Sequence, residues 1–199
     1  MSDRDPWFVA IGASGGDGLY DIMAILRELP PSLNAVVLIV LHRLWDRPSH
    51  LAAVLGRAAR MPVVVALDGG KFTPGIAYIG EPADHLTLAA NSFGQLVDDP
   101  NRNHRNRTVD LLFRSVAAHG GSRIIGVVLS GSLDDGSRGL AAINEIGGLS
   151  MVVTPVRSPE QGMPKNAISY DGPIDLIGSP FEIAQAIRAA IQQACYQPS

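Results

Sequence analysis

An open α/β sheet, doubly wound and mainly parallel, with helices on both faces and a short antiparallel hairpin addition, is the fold class this sequence predicts. Three observations lead there. Ala35 to Leu41 is an apolar run without alternation, as expected of a parallel strand covered on both faces. Strand-like and helix-like segments alternate along most of the chain, the pattern of βαβ units. Between residues 76 and 97 that alternation gives way to short strands split by Gly, Pro, Asn and Asp.

The elements follow in order. Trp7 to Ile11 reads as a first strand running into Gly12-Ala13-Ser14-Gly15-Gly16. After Gly18, Leu19, Ile22, Met23, Leu26 and Leu29 share one helical face, and Pro30-Pro31 ends the helix. The strand 35–41 follows and stops at His42-Arg43. Ser49 to Arg60 predicts a second helix, with Ser49 as its N-cap and Leu51, Val54, Leu55 and Ala58 inward. Pro62 to Leu67 is a short strand. Residues 76–79, 85–88 and 95–97 are expected to add to the sheet in antiparallel fashion, with Asn91-Ser92-Phe93-Gly94 as the hairpin turn. Thr108 is placed to cap a helix carrying Val109, Leu112, Phe113 and Val116. Strand 124–129, helix 137–146, strand 149–153 and helix 181–194 complete the pattern.

Composition narrows the function classes. A chain of 199 residues is read as one domain, 1–199, large enough to bury most of its unfolded surface without staples. With 46% hydrophobic and 18% charged residues it is not a disordered sequence. A net charge of −3 supplies no basic field for nucleic acid. The single cysteine, Cys195, has no internal partner, which points to a reducing compartment. The polar start, Met1 to Pro6, is unlike a signal peptide, and no apolar run is long enough to span a bilayer. The expectation is a cytoplasmic protein without membrane insertion. No His, Cys, Asp or Glu cluster has metal-ligand spacing, so neither metal nor cofactor is expected.

The chemistry lies at the strand ends. In an open parallel sheet, ligands bind at the carboxyl ends of the strands. Ser14 follows the first strand, His42 ends the second, and Asp135 follows strand 124–129, so all three should meet on one rim. Nucleophile, base and base-orienter are the parts of a serine hydrolase triad. Each residue also has a plainer reading: Ser14 as turn residue or N-cap, His42 as a structural hydrogen-bonder, Asp134 or Asp135 as cap of the helix near Ser137. The G-x-x-x-G-x-G spacing of Gly12, Gly16 and Gly18 also fits a dinucleotide-binding reductase. Against that, the second strand ends in His42-Arg43 rather than an acidic residue. No tyrosine is followed four residues later by lysine. His50, His85, His104 and His119 lie on a helix, in the hairpin, in a basic loop and at a helix end, and are weaker candidates.

Several segments, in order along the chain, resemble one family. Ile11-Gly12-Ala13-Ser14-Gly15-Gly16 is similar to the G-A-S-x-G-G start of the chemotaxis receptor methylesterases of the CheB type. Leu41-His42 resembles their histidine segment. Pro74 to Leu86 resembles P-G-x-x-Y-I-A-P-x-x-x-H-L, and His104 to Ser115 resembles H-R-P-S-V-D-x-L-F-x-S. Gly126 to Gly131 with Asp135-Gly136 resembles G-V-I-L-T-G-M-G-x-D-G, and Gly162-Met163-Pro164 resembles a G-M-P loop. Ser132-Leu133 stand where that family has Met-Gly, and Arg107 where it has a small residue.

The resemblance implies hydrolysis of glutamate γ-methyl esters on chemoreceptor helices, with deamidation of some glutamines. Ser14 would be nucleophile, His42 base and Asp135 orienter. Backbone N–H groups around Gly15, Gly16 and Ser132 would form the oxyanion hole. Arg105, Arg107 and Met163 would contact substrate, with Arg102 adding to the charge that meets an acidic helix. A receiver or methyltransferase protein in trans is a further expected partner. Only Met1 to Pro6 precede the first strand, so a stand-alone catalytic domain not gated in cis is expected. A catalytically weak signalling module on the same fold is the alternative.

Overall fold

The computed structural model describes residues 5–43, 49–89, 92–99, 107–132, 134–155, 162–170 and 172–196. Its centre is a seven-stranded sheet in the order β3-β4-β2-β1-β7-β8-β9, and every pairing in it is parallel. The strands are β1 (Trp7–Ser14), β2 (Ala35–His42), β3 (Val63–Val65), β4 (Ala77–Ile79), β7 (Ile124–Val128), β8 (Leu149–Val153) and β9 (Leu176–Gly178). A separate antiparallel hairpin pairs β5 (Asp84–Leu88) with β6 (Gly94–Asp98). The helices are α1 (Gly15–Glu28), α2 (Leu51–Ala58), α3 (Thr108–His119), α4 (Ser137–Glu145), α5 (Met163–Ser169) and α6 (Pro180–Tyr196). The chain leaves β1 outward through β2 and returns to β7 on its other side. The strand order therefore reverses between β1 and β7, where open α/β sheets form a crevice at the strand ends.

Successive residues of a strand face opposite sides, and both sides of this sheet are dry. Trp7, Val9, Ile11 and Ala13 of β1, with Val37, Ile39 and Leu41 of β2, pack beneath α1, α2 and α6. Phe8 and Ala10, with Val36, Leu38 and Val40, pack on the other side beneath α3 and the hairpin. Continued to the strand ends, this alternation carries Ser14 and His42 onto the α3 side. Parallel pairing places them opposite each other in register.

The approach of α3 depends on glycine. A Cβ at Gly12, in the middle of β1, would collide with the methyl groups of Val109 at the start of α3. A Cβ at Gly139 would lie 2.5 Å from that of Phe113, so α4 also packs closely on α3. Gly18 lies inside α1 rather than before it; a Cβ there would sit 2.6 Å from the Ser130 carbonyl oxygen. The helix thus begins at Gly15, earlier than the apolar periodicity indicates, and Gly18 within it serves close packing rather than termination. The start of α6 is closed locally: Glu182 accepts from the Ser179 N–H and hydroxyl, and Ser179 Oγ accepts from the Glu182 N–H. Those donors hold the Glu182 carboxyl below its usual range.

Three features differ from the sequence expectation. Residues 77–79 join the main sheet as a parallel strand between β3 and β2, and only 84–98 form the antiparallel hairpin. All three residues of β4 are buried, so the segment lacks the alternation of a half-exposed hairpin strand. The short α5 and β9 carry too few residues for a periodicity to show. Asn91 of the expected hairpin turn lies outside the described residues.

Gly12→Ala should cost about 1–3 kcal/mol of stability, because Val109 must be displaced from the sheet. Urea unfolding of the purified variant measures this, and an unchanged midpoint would show that α3 can shift freely.

Candidate active site

The sequence turns sharply from strand to helix at Ser14. This residue keeps extended geometry, φ −144° and ψ 144°, and Gly15 takes φ +71°, which an L side chain rarely adopts. Ser14 stands at the N-cap position of α1 but its hydroxyl makes no capping bond. The hydroxyl is thus not consumed in holding the helix. The first N–H groups of a helix have no partner within it, so the turn offers N–H donors beside the serine hydroxyl. A Cβ added at Gly15 or Gly16 would meet nothing within 4 Å, so space lies open at the turn.

The backbone of Ser14 is held from β7. Its N–H donates to the Ser130 carbonyl at 3.0 Å. Asp21, on α1, accepts from the Ser130 N–H at 3.1 Å, which ties helix and strand end together. Gly131 lies directly against the serine: a Cβ there would be 2.7 Å from Ser14 Cβ and 2.5 Å from Met163 Sδ. The Met163 N–H donates to the Gly131 carbonyl at 2.9 Å, and Ser132 bridges Gly162. Any side chain at position 131 would displace Ser14.

His42 stands beside Ser14, one strand spacing of about 4.8 Å away. Its Nε2 is 2.7 Å from Asp135 Oδ2. Asp135 is fully enclosed, with 0% side-chain exposure, and His42 retains 13%. A buried carboxylate needs donors. Besides His42, the Val109 N–H donates to Oδ2 at 2.9 Å and the Asp110 N–H to Oδ1 at 2.8 Å. These are N–H groups from the first turn of α3, whose positive end also favours a negative charge. Asp135 therefore does cap a helix, but α3 rather than the one that follows it in sequence.

The following helix, α4, is held by Asp110. Its Oδ1 accepts from the Gly136 N–H at 3.1 Å and from the Gly139 N–H at 2.7 Å. The sequence expectation of Thr108 as cap gives way to this arrangement: Arg107 occupies the N-cap position without a capping bond, and Asp135 supplies the acceptor. Similarly, Ser49 precedes rather than occupies the N-cap of α2, though its hydroxyl accepts from the Leu51 N–H at 3.4 Å. Burial pushes the Asp110 carboxyl above its usual range. The Gly139 and Gly136 donors and Arg114 oppose the rise, and nearby Asp135 adds to it.

Ser14, His42 and Asp135 are thus brought to one rim, with Gly15, Gly16 and Ser132 beside them. Met163 is placed otherwise than expected. It is buried at 0% exposure and supports Gly131 from beneath, because it opens α5 with its apolar side chain in the core. Arg107 is 44% exposed and lies 3.8 Å from Asp110 Oδ2. Arg102 and Arg105 lie outside the described residues. Among the described residues, no group of three His, Cys, Asp or Glu could hold a metal, and no helix is long and apolar enough to cross a membrane.

Sequence reasoning missed Asp21, Arg43 and Asp110. Arg43 fixes the end of β2 by donating to the Gly80 carbonyl at 2.7 Å and to Ser49 Oγ at 3.1 Å. Burial lowers its pKa from the ordinary arginine value, and Glu81 counteracts this. Asp110 did leave a signal: it is an acid beside Val109, Leu112 and Phe113 on an otherwise apolar face.

A family model described as CheB methylesterase matches residues 9–187. A protein-glutamate methylesterase/protein-glutamine glutaminase of Pectobacterium atrosepticum is 35% identical over 186 residues, covering 92% of this chain and 52% of that protein. One from Bordetella avium is 34% identical over 176 residues, covering 88% and 51%. This chain spans about half the length of the curated relatives it matches. The crystal structure of the Thermotoga maritima CheB methylesterase catalytic domain superposes with a TM-score of 0.84 at 27% identity, covering 94% of this chain and all of that one.

Two outcomes follow from these carboxylates. Asp135→Asn places an NH₂ against either the Asp110 N–H or the Val109 and His42 donors, so urea unfolding should show a loss of about 1–3 kcal/mol. An unchanged midpoint would mean that those donors find another acceptor. Asp110 holds its proton more tightly folded than unfolded. Its contribution to stability is present below the unfolded carboxylate value of about 4 and is lost as pH rises through the raised folded value. Across that window the wild type should lose stability relative to Asp110→Asn. Denaturant titrations at successive pH values check the sign. Among the described residues, the charged and titratable groups that face Asp110 are Arg107, Arg114 and Asp135.

Proposed function

The chain belongs to the CheB methylesterase family, and on that premise we propose that it hydrolyses glutamate γ-methyl esters on a protein substrate, with Ser14 as nucleophile. The observation that carries the reading is the 2.7 Å bond from His42 to the enclosed Asp135, made beside a serine whose hydroxyl makes no capping bond to α1. Family membership also displaces the dinucleotide-reductase reading of the glycine turn.

Each residue has a part. An ionised carboxylate only accepts, so Asp135 holds the hydrogen of His42 on Nε2 and leaves Nδ1 with its lone pair. Nδ1 takes the Ser14 proton as Oγ attacks the ester carbonyl carbon. The carbonyl oxygen becomes an oxyanion, for which the N–H groups of Gly15 and Gly16 and the backbone at Ser132 are the nearby donors. The imidazolium, stabilised by Asp135, returns its proton to the departing methoxide. Methanol leaves and Ser14 carries the glutamyl group as an ester. Water then attacks that ester, His42 takes its proton, and the collapse frees glutamate and restores the serine hydroxyl. With a glutamine side chain the same steps release ammonia in place of methanol, as the second half of the relatives' names describes.

The proposed substrate is a methylated chemoreceptor helix, rich in acid and met by Arg107 together with Arg102 and Arg105. A cytoplasmic setting and a receiver or methyltransferase partner acting in trans belong to the same proposal. The direct experiment is mass spectrometry of methylated receptor incubated with the protein, where each cleaved ester removes one CH₂ from a peptide. Ser14→Ala should lower methanol release by about 10³-fold or more while leaving the circular dichroism spectrum unchanged. Wild-type turnover in the folded alanine variant would eliminate Ser14 as nucleophile. A wild type that releases no methanol would leave the non-catalytic signalling role.

A further inference from the structure

Asp135 serves the helix that bears Asp110, and Asp110 serves the helix that Asp135 precedes. The Asp135 carboxylate precedes α4 in sequence, yet it takes the Val109 and Asp110 N–H groups at the start of α3. The Asp110 carboxylate belongs to the first turn of α3, yet it takes the Gly136 and Gly139 N–H groups at the start of α4. Gly136 is bonded covalently to Asp135, so the Asp110 bond at 3.1 Å grips the peptide unit from which the Asp135 side chain projects. Both residues are buried, Asp110 at 4% exposure and Asp135 at 1%, so water does not compete for these donors.

The geometry around them leaves little play. Gly136 has φ +99° and a Cβ there would lie 2.9 Å from Val109 Cγ1. A Cβ at Gly139 would lie 3.2 Å from the Cα of Asp110. The turn 134–136 is therefore wedged against α3; within its own segment it is tied by a 3.4 Å bond from the Ser137 N–H to the Asp134 carbonyl and a 2.8 Å bond from the Leu140 N–H to the Gly136 carbonyl, neither of which involves the Asp135 or Gly136 N–H. Helix-cap residues ordinarily serve their own helix. Here the cap is exchanged between neighbours, and the exchange spans the carboxylate that orients His42.

We infer that Asp110 is a positioning residue of the esterase, setting the direction in which Asp135 meets His42 by holding the Gly136 and Gly139 N–H groups. The inference rests on the proposed esterase reading. It assigns to Asp110 no contact with substrate and no proton transfer; it acts through Asp135. What Asp110 supplies is an acceptor at a fixed place, and its Oδ1 does so for both N–H groups. A neutral amide oxygen at the same position can do the same, whereas a carboxylate one methylene further out cannot.

The test uses the full 199-residue chain and methanol release from methylated receptor. Asp110→Asn should keep kcat within about threefold of wild type, and Asp110→Glu, though it preserves the charge, should lower kcat by about ten- to a hundredfold at unchanged KM. Asp110→Ala should fall with Glu. A cap with a purely structural role would lower the unfolding midpoint and leave the kcat of the folded protein alone. The coupling is read by repeating the change in an Asp135→Ala background: Asp110→Glu should there cost no further rate, since the group it positions is gone. Glu retaining as much kcat as Asn would overturn the inference. So would a further loss in the Asp135→Ala background equal to that in the wild type. Should Asp110→Ala not fold, the Asn and Glu comparison stands without it. In the same assay, a wild type without Ser14-dependent turnover fails the esterase reading itself. An active wild type with indifferent Asp110 variants fails this inference alone.

Discussion

A carboxylate with no exposed surface governs the construction of this rim. Asp135 is closed off from water and must be answered by the protein with hydrogen-bond donors. It has the His42 imidazole and two backbone N–H groups from the first turn of α3. A helix end can reach it only if nothing stands between helix and sheet. Gly12 in β1 provides that clearance for Val109, and Gly139 provides it between α3 and α4. The clearance at Gly12, the approach of α3 and the direction of His42 thus meet at a single buried carboxylate. Its neighbour Asp110, also buried, is the counterpart that keeps the second helix in place.

The serine side of the rim obeys a different constraint, that of the pleat. Ser14 reaches the α3 side because every second residue of β1 does, and His42 meets it because β1 and β2 run parallel in register. Gly131 leaves room for the serine, and Met163 closes the space below. The serine hydroxyl and the imidazole therefore come from backbone already fixed by the sheet. Asp135 is delivered by the segment between β7 and α4, which takes support from outside its own helix. A rim built this way has its groups in place before a ligand arrives, the condition under which fixed dipoles are most effective.

Much of this was legible in the chain. The unbroken apolar run of β2, the glycine-rich turn after β1 and the Asp-Gly pair after β7 each mark a strand end, and open parallel sheets gather strand ends. That was enough to bring Ser14, His42 and Asp135 together. What stayed hidden depends on contacts between distant segments. Whether residues 77–79 pair with the main sheet or the hairpin is decided by neighbours at 37–39 and 63–65, and no local pattern encodes that choice. Asp110 looks like a first-turn acid of α3, a common preference, and only the approach of α4 gives it a second use. Met163, as part of a loop-like motif, could be placed at the rim but not above or below it. Its burial follows from the helix that the motif opens.

The two outer strands, β3 and β9, are three residues long, while β1 and β2 at the centre have eight each. Strands as apolar as the central pair would be dangerous at a border, where unpaired amide groups can recruit a foreign strand. The taper places the sticky material in the middle and leaves borders too short to hold a visitor, even though Val64 and Ile177 show themselves there. Crowded beside many copies of itself, such a sheet stays finite.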